Sequence, residues 1–397
     1  MSKCIIVTLI AAVLATAGLA GPAPSVTELK SPAPPDSAQP NLSVGADGRI
    51  YMSWLEPVTP KGFAMKFSVR GPQGWLAPKT IATGTNWFVS DADVPSVVAM
   101  TDGTLAAHWF VASVGPRSEA YDINLAFSKD AGATWSKPMV PHRDATKRQH
   151  GFVSLVPTPD GKLAAIWLDG RNMASEDEGD MALMFTTIAS NGTLGPETQI
   201  DKRVCECCKT SMTTTPDGLL AVYRDRSDKE IRDISIARYS AGKWSQPETV
   251  SKDGWEFDGC PINGPAVAAN GKNVAVAWFT APDDDKPQVY VAMSTDSGKT
   301  FPKKVRIDEG KPLGRVDVVS LASGAAVVSW VERTAQGSQV RAREIAANGT
   351  PASPMNVSGT TGVGSGAFPR MVRSGNDIVV AWTDTSKPQQ VRTAVVK

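Results

Sequence analysis

The stretch Pro265-Ala-Val-Ala-Ala-Asn-Gly-Lys-Asn-Val-Ala-Val-Ala-Trp278 decides the architecture. Two apolar runs of four to six residues flank an Asn-Gly turn, and the second run ends in an aromatic residue. Runs this short, rich in Val and Ala and bounded by turn residues, are strands, because a helix needs a longer run at a 3.6-residue period. Val289-Tyr-Val-Ala-Met293 and Lys304-Val-Arg-Ile307 follow as two more strands. Four strands make one propeller blade.

Outward from this unit, an apolar run ending in an aromatic residue recurs at Trp54, Trp109, Trp167, Tyr223, Trp278, Trp330 and Trp382, in steps of 55, 58, 56, 55, 52 and 52 residues. A period of that length marks a unit that cannot bury its own apolar face and must stack on copies of itself. The expected fold is all-β: a propeller of seven four-stranded blades, with the six-bladed count as the alternative. After Trp382 only one further strand fits, over Gln389 to Val396. The early segment Val26-Thr-Glu-Leu-Lys30 resembles the outer strands Glu197-Thr-Gln-Ile200 and Glu248-Thr-Val250, so it is expected to pair into the last blade and close the ring. Ser31 to Ser37 reads as an exposed connector.

Residues 1–20 read as a signal peptide, with Lys3 ahead of an apolar stretch too short to span a membrane and small residues where a peptidase cuts. Residues 21–397 read as a single propeller domain with no membrane span, periplasmic or secreted. The net charge of +1, with no long basic stripe, argues against a nucleic-acid partner.

Ser128-Lys-Asp130-Ala-Gly132-Ala-Thr134-Trp135 and Ser294-Thr-Asp296-Ser-Gly298-Lys-Thr300-Phe301 repeat one turn motif, S-x-D-x-G-x-T-[WF], with worn copies at Ser68 to Trp75 and Ala237 to Trp244. The Asp side chain can bond the N–H groups of its own turn, and Gly supplies the positive φ. By these motifs the chain resembles the Asp-box, or bacterial neuraminidase repeat, propellers of the sialidase superfamily. The resemblance implies a propeller. It leaves activity open, because the box occurs in glycosidases, lyases and non-catalytic propellers. A sialidase-like glycoside hydrolase would use an arginine cluster, an Asp acid and an activated Tyr. The family's Phe/Tyr-Arg-Ile/Leu-Pro signature is absent here, where the corresponding stretch reads Ala38-Gln39-Pro40-Asn41-Leu42. Tyr223 occupies the aromatic position of its blade and is expected in the core.

In a propeller, the loops leading into the innermost strands and those joining the second and third strands emerge on one face around the channel. They carry candidate catalytic residues Asp93, Asp169, Arg171, Arg224, Asp225, Arg315 and Asp317, and candidate ligand-face residues Arg148, His150, Arg226, Asn263 and Arg370. The expected partner there is a glycan, small molecule or protein; glycan cleavage is the alternative. His108 is expected to be structural and His142 exposed. Cys205, Cys207 and Cys208 lie ahead of one innermost strand and Cys260 ahead of the next, so the four are expected to cluster on the channel face. Two readings stay open. One is a pair of disulfides, the first between loops and the second within the triplet, such as Cys207 with Cys208. The other is a Cu or Zn site, with His150 as a further donor.

Overall fold

The computed structural model describes residues 25–397 except 60, 116–118, 176–177, 284, 336, 360–362 and 365–366; the signal peptide expected at 1–20 lies outside the described residues. Seven antiparallel sheets follow one another along the chain. In blade 5, strands Ala266–Asn270, Asn273–Thr280, Gln288–Ser294 and Lys304–Arg306 occupy the positions read from the sequence. Blade 2 (Ser96–Ala99, Leu105–Ala112, Tyr121–Ser128) has three described strands, and its fourth is reduced to the bridge between Leu125 and Met139.

The ring closes as expected. Val26–Leu29 pairs antiparallel with Gln390–Val396, Val26 opposite Val396 and Leu29 opposite Thr393. The first strands of successive blades neighbour one another around the channel, and that of blade 7, Arg370–Ser374, touches that of blade 1, Ala38–Val44. The connector 31–37 is less exposed than expected. Ala33 and Ser37 are buried, and Ser37 Oγ accepts the N–H of Val391 at 3.0 Å, because the chain must run tightly along blade 7 to reach blade 1.

The core lies between blades. All seven repeat aromatics are buried, and each junction carries an apolar cluster, such as Phe185 with Met212 and Tyr223 between blades 3 and 4, or Met52 and Trp54 with Val379 and Val395 at the closing seam. A buried indole N–H needs an acceptor. The acid two residues on provides it three times: Trp54 to Glu56 (3.0 Å), Trp167 to Asp169 (2.7 Å) and Trp330 to Glu332 (2.5 Å).

The two Ser-x-Asp-x-Gly-x-Thr turns are built alike. Asp130 Oδ1 accepts the Thr134 N–H at 2.9 Å and Asp296 Oδ1 that of Thr300 at 3.0 Å, while the Thr hydroxyls donate to the other carboxylate oxygens. Gly132 has φ 79°, and a Cβ there would come within 2.3 Å of the Phe67 ring on the preceding blade.

Candidate functional site

The seven inner strands enclose a cavity of about 520 Å³ running along the channel. Where those strands begin, Asp93, Lys209, Asp317 and Arg370, from blades 2, 4, 6 and 7, line its wall. Asp93 Oδ2 accepts the Tyr121 hydroxyl at 2.7 Å and the Phe152 N–H of blade 3 at 2.8 Å. Asp317 does the same one junction before the seam, taking the Met371 N–H at 2.7 Å. Each acid therefore joins its blade to the next while lining the cavity. Burial pushes the Asp93 carboxyl up to about 7, against the bonds from Phe152 and Tyr121 and the charge of Arg370. Burial also pulls Lys209 down to about 7, with Arg370 adding to the effect, while its Nζ donates to the Val316 carbonyl at 2.6 Å. Arg315 lies over the Phe368 ring, 4.6 Å from its centroid, and its N–H donates to Asn263 Oδ1 at 2.9 Å.

The cysteines gather as expected, but the pairing within the triplet differs. Cys207 is bonded to Cys260, with Cα atoms 6.0 Å apart, so the expected bridge between Cys207 and Cys208 is not formed. Residues 205–208 form a turn, which brings Cys205 and Cys208, three apart, together on its buried side and leaves Cys207 to reach the neighbouring blade. These two are free and buried, and the Cys205 thiol donates to the Cys208 sulfur at 2.6 Å. Burial and the neighbouring Cys208 raise the Cys205 thiol. Against burial, the bond from Cys205 and the charge of Arg224 lower that of Cys208. The sulfur atoms of Cys205, Cys207 and Cys208 lie within 4.8 Å of one another, so a soft metal could use all three once the disulfide is reduced.

Several remaining candidates have clear structural duties. Arg224 is buried and donates to the carbonyls of Asn263 (2.9 Å), Arg232 and Phe279 (2.5 Å). Asp169 accepts the Trp167 indole and the Arg171 guanidinium, at 2.6 Å for the closest pair. Arg226 pairs with Glu206 and Glu230, Asp225 accepts the Ser235 hydroxyl at 2.9 Å, and Arg148 donates to the carbonyls of Met173 and Ala174. Tyr223 is in the core as expected, its hydroxyl on Asp201 at 2.6 Å.

His150 lies with acids and another histidine, in a group separate from the thiols. His142 overturns the expectation of exposure: it is buried and stacks on His150, because the segment after blade 2 folds back over the junction with blade 3. His108 is structural, its Nδ1 3.0 Å from the Ser96 hydroxyl, and burial takes it down to about 3. Sequence reading missed Tyr121, Lys209, Asp122 and Asp144. Lys209, directly after the cysteine triplet, was the one with a visible signal.

Solved structures match along nearly the whole chain. A Dyadobacter fermentans protein of unknown function superposes with a TM-score of 0.54 at 14% identity, covering 94% of this chain and 97% of that one. A Penicillium chrysogenum alpha-L-arabinanase gives 0.52 at 14% identity over 94% and 98%. A Fusarium graminearum alpha-L-arabinofuranosidase gives 0.51 at 15% identity over 94% and 97%. The likeness is one of fold. No protein-family model and no curated protein matches the sequence. Among the described residues no helix is long and apolar enough to cross a membrane.

Proposed function

We propose that the chain is a secreted or periplasmic glycan-cleaving propeller whose reaction centre is the charged end of the channel. The observation that carries this reading is Asp93: a carboxyl on the cavity wall, oriented by Tyr121 and the Phe152 N–H, and poised near neutrality by burial. A carboxyl that holds a proton at neutral pH yet releases it is what protonation of a glycosidic oxygen requires. Asp317, four blades on, supplies the second carboxylate of such a pair, and Arg370 stabilises negative charge beside it. The glycan-cleaving fold neighbours support this class. So do the two Asp-centred turns, whose hydrogen bonds are those an Asp-box needs, and the disulfide fits an oxidising compartment.

The test is release of sugar from a panel of fluorogenic glycosides and arabino-oligosaccharides. Hydrolysis of at least one substrate is expected, with Asp93→Asn lowering kcat by about 10²–10⁴-fold and Asp130→Asn, at the opposite end of its blade, leaving it unchanged. Because the arginine signature is missing, a fluorogenic sialoside is expected to be inert. Hydrolysis of no substrate by the folded protein would sink the enzymatic reading. One observation favours a second reading, a ligand-binding face without turnover: both Asp93 and Asp317 are already used to join blades. Oligosaccharide binding that Arg370→Met weakens, with no cleavage, would establish it.

A further inference from the structure

Two histidines meet where blade 2 abuts blade 3. The His142 and His150 rings stack with centroids 3.6 Å apart and planes 4° apart. Along one edge of the stack, His142 Nδ1 lies 3.2 Å from Asp144 Oδ1, and His150 Nε2 lies 3.1 and 3.2 Å from the two Asp144 oxygens. Those bonds require N–H donors, so the neutral rings carry their protons on Nδ1 of His142 and Nε2 of His150. Their lone pairs are then on His142 Nε2 and His150 Nδ1. Both atoms are buried without a hydrogen-bond partner.

Both also face the same oxygen. Asp122 Oδ1 is 3.4 Å from His142 Nε2 and 3.5 Å from His150 Nδ1, while Asp122 Oδ2 accepts the Ser113 hydroxyl at 2.6 Å, which fixes the carboxylate. With both rings neutral, two lone pairs and a carboxylate oxygen converge at this point, an arrangement that favours a cation among them, whether a proton or a metal ion. A tetrahedral ion with bonds of about 2.0–2.1 Å holds its ligand atoms about 3.3–3.4 Å apart, close to the spacing from Asp122 to each ring. A ligand histidine whose other nitrogen donates to a carboxylate is the usual supporting arrangement of metal sites, and here Asp144 serves both rings.

We propose that Asp122, His142 and His150 form a binding site for one divalent transition-metal ion, Zn(II) by its donor set, with Asp144 positioning both rings. Since ring lone pairs lie in the ring plane, coordination splays the rings out of their parallel stack. The carboxylates of Asp122 and Asp144 balance the charge of the ion. Its remaining position opens on a groove of about 350 Å³ lined by Ser113, Thr146 and Lys147, where water or an anion completes the tetrahedron. The site shares no residue with the cysteine group and does not depend on the glycan-cleaving reading.

The experiment uses the mature chain carrying Cys205→Ser and Cys208→Ser, which removes the competing thiols. After loading with ZnCl₂ and gel filtration, elemental analysis is expected to find one zinc per chain, and Co(II) in its place is expected to give the intense visible bands of a tetrahedral site. Competition with a chromophoric chelator is expected to show Asp144→Asn weakening zinc by about 10–100-fold, and His142→Ala or the near-isosteric Asp122→Asn abolishing retention, each with native near-UV circular dichroism. Folded parent protein that retains no zinc, or zinc affinity unchanged in both Asp122→Asn and His142→Ala, would overturn the proposal.

Discussion

The junction of blades 4 and 5 and that of blades 2 and 3 occupy the same phase of the repeat and are held in opposite ways. At the first, a covalent bond between Cys207 and Cys260 and a buried Arg224 spread over three carbonyls brace the loops. At the second, the bracing groups titrate: Asp93 on the channel side, and His142 and His150 between Asp122 and Asp144 farther out. One junction is braced by a covalent bond and the other by groups that titrate. A propeller can afford this because every junction also carries its own apolar cluster, so the polar bracing can differ from one junction to the next.

The largest effect that would sharpen this contrast is loss of the disulfide. Its cysteines are 53 residues apart, and a loop of that length is worth about 4 kcal/mol in the chain-entropy model. Cys260→Ser is expected to lower urea stability by roughly that amount, equally at pH 5 and pH 8. Next comes Arg224→Met, which strands three buried carbonyls and is expected to cost about 3 kcal/mol. Arg224→Lys should not restore it, since an ammonium lacks the fork that reaches all three. Recovery by Lys would show that charge alone braces this junction.

The pH-sensitive junction gives the third test. Burial raises the Asp93 carboxyl to about 7 in the folded chain against 3.8 for a free side chain, so the native state binds the proton more tightly, and the stabilisation present at low pH is lost as pH rises toward 7. Between pH 5 and pH 8 the chain is expected to lose about 2 kcal/mol from this group, and Asp93→Asn should flatten that slope. Lys209, depressed to about 7, works in the other direction, adding stability from pH 7 up to its unfolded value near 10.5. A wild-type slope unchanged in Asp93→Asn would break the assignment. The smallest effect belongs to the surface pairs around the rigid junction. Arg226→Gln, which removes partly exposed pairs with Glu206 and Glu230, is expected to cost about 1 kcal/mol, most visibly at low salt.

Legibility followed the repeat. Trp278, Val26 and Cys260 were placed correctly because each is defined by its phase in a period the sequence displays openly. His142 was not, because it lies in an irregular segment between blades, and irregular segments have no phase to read. The cluster it joins draws Asp122 from a third strand, Asp144 and His142 from the following loop, and His150 from the next inner strand. Asp169 shows the limit of the period: acids two residues after Trp54, Trp167 and Trp330 accept the indole N–H, but Asp384, equally spaced from Trp382, does not, so the partner of such an acid is set by packing.

By itself the sequence determined the blade count, the closure by Val26–Leu29 and the face on which cysteines and charges gather. These follow from hydrophobic spacing, which acts locally and repeats. Only the tertiary structure decided that Cys207 and not Cys208 reaches Cys260, that Asp93 is buried deeply enough to keep its proton near neutrality, and that two histidines share two carboxylates. Those outcomes depend on how an irregular turn directs its side chains and on how far water is excluded, and both are set by the packing of one blade against the next.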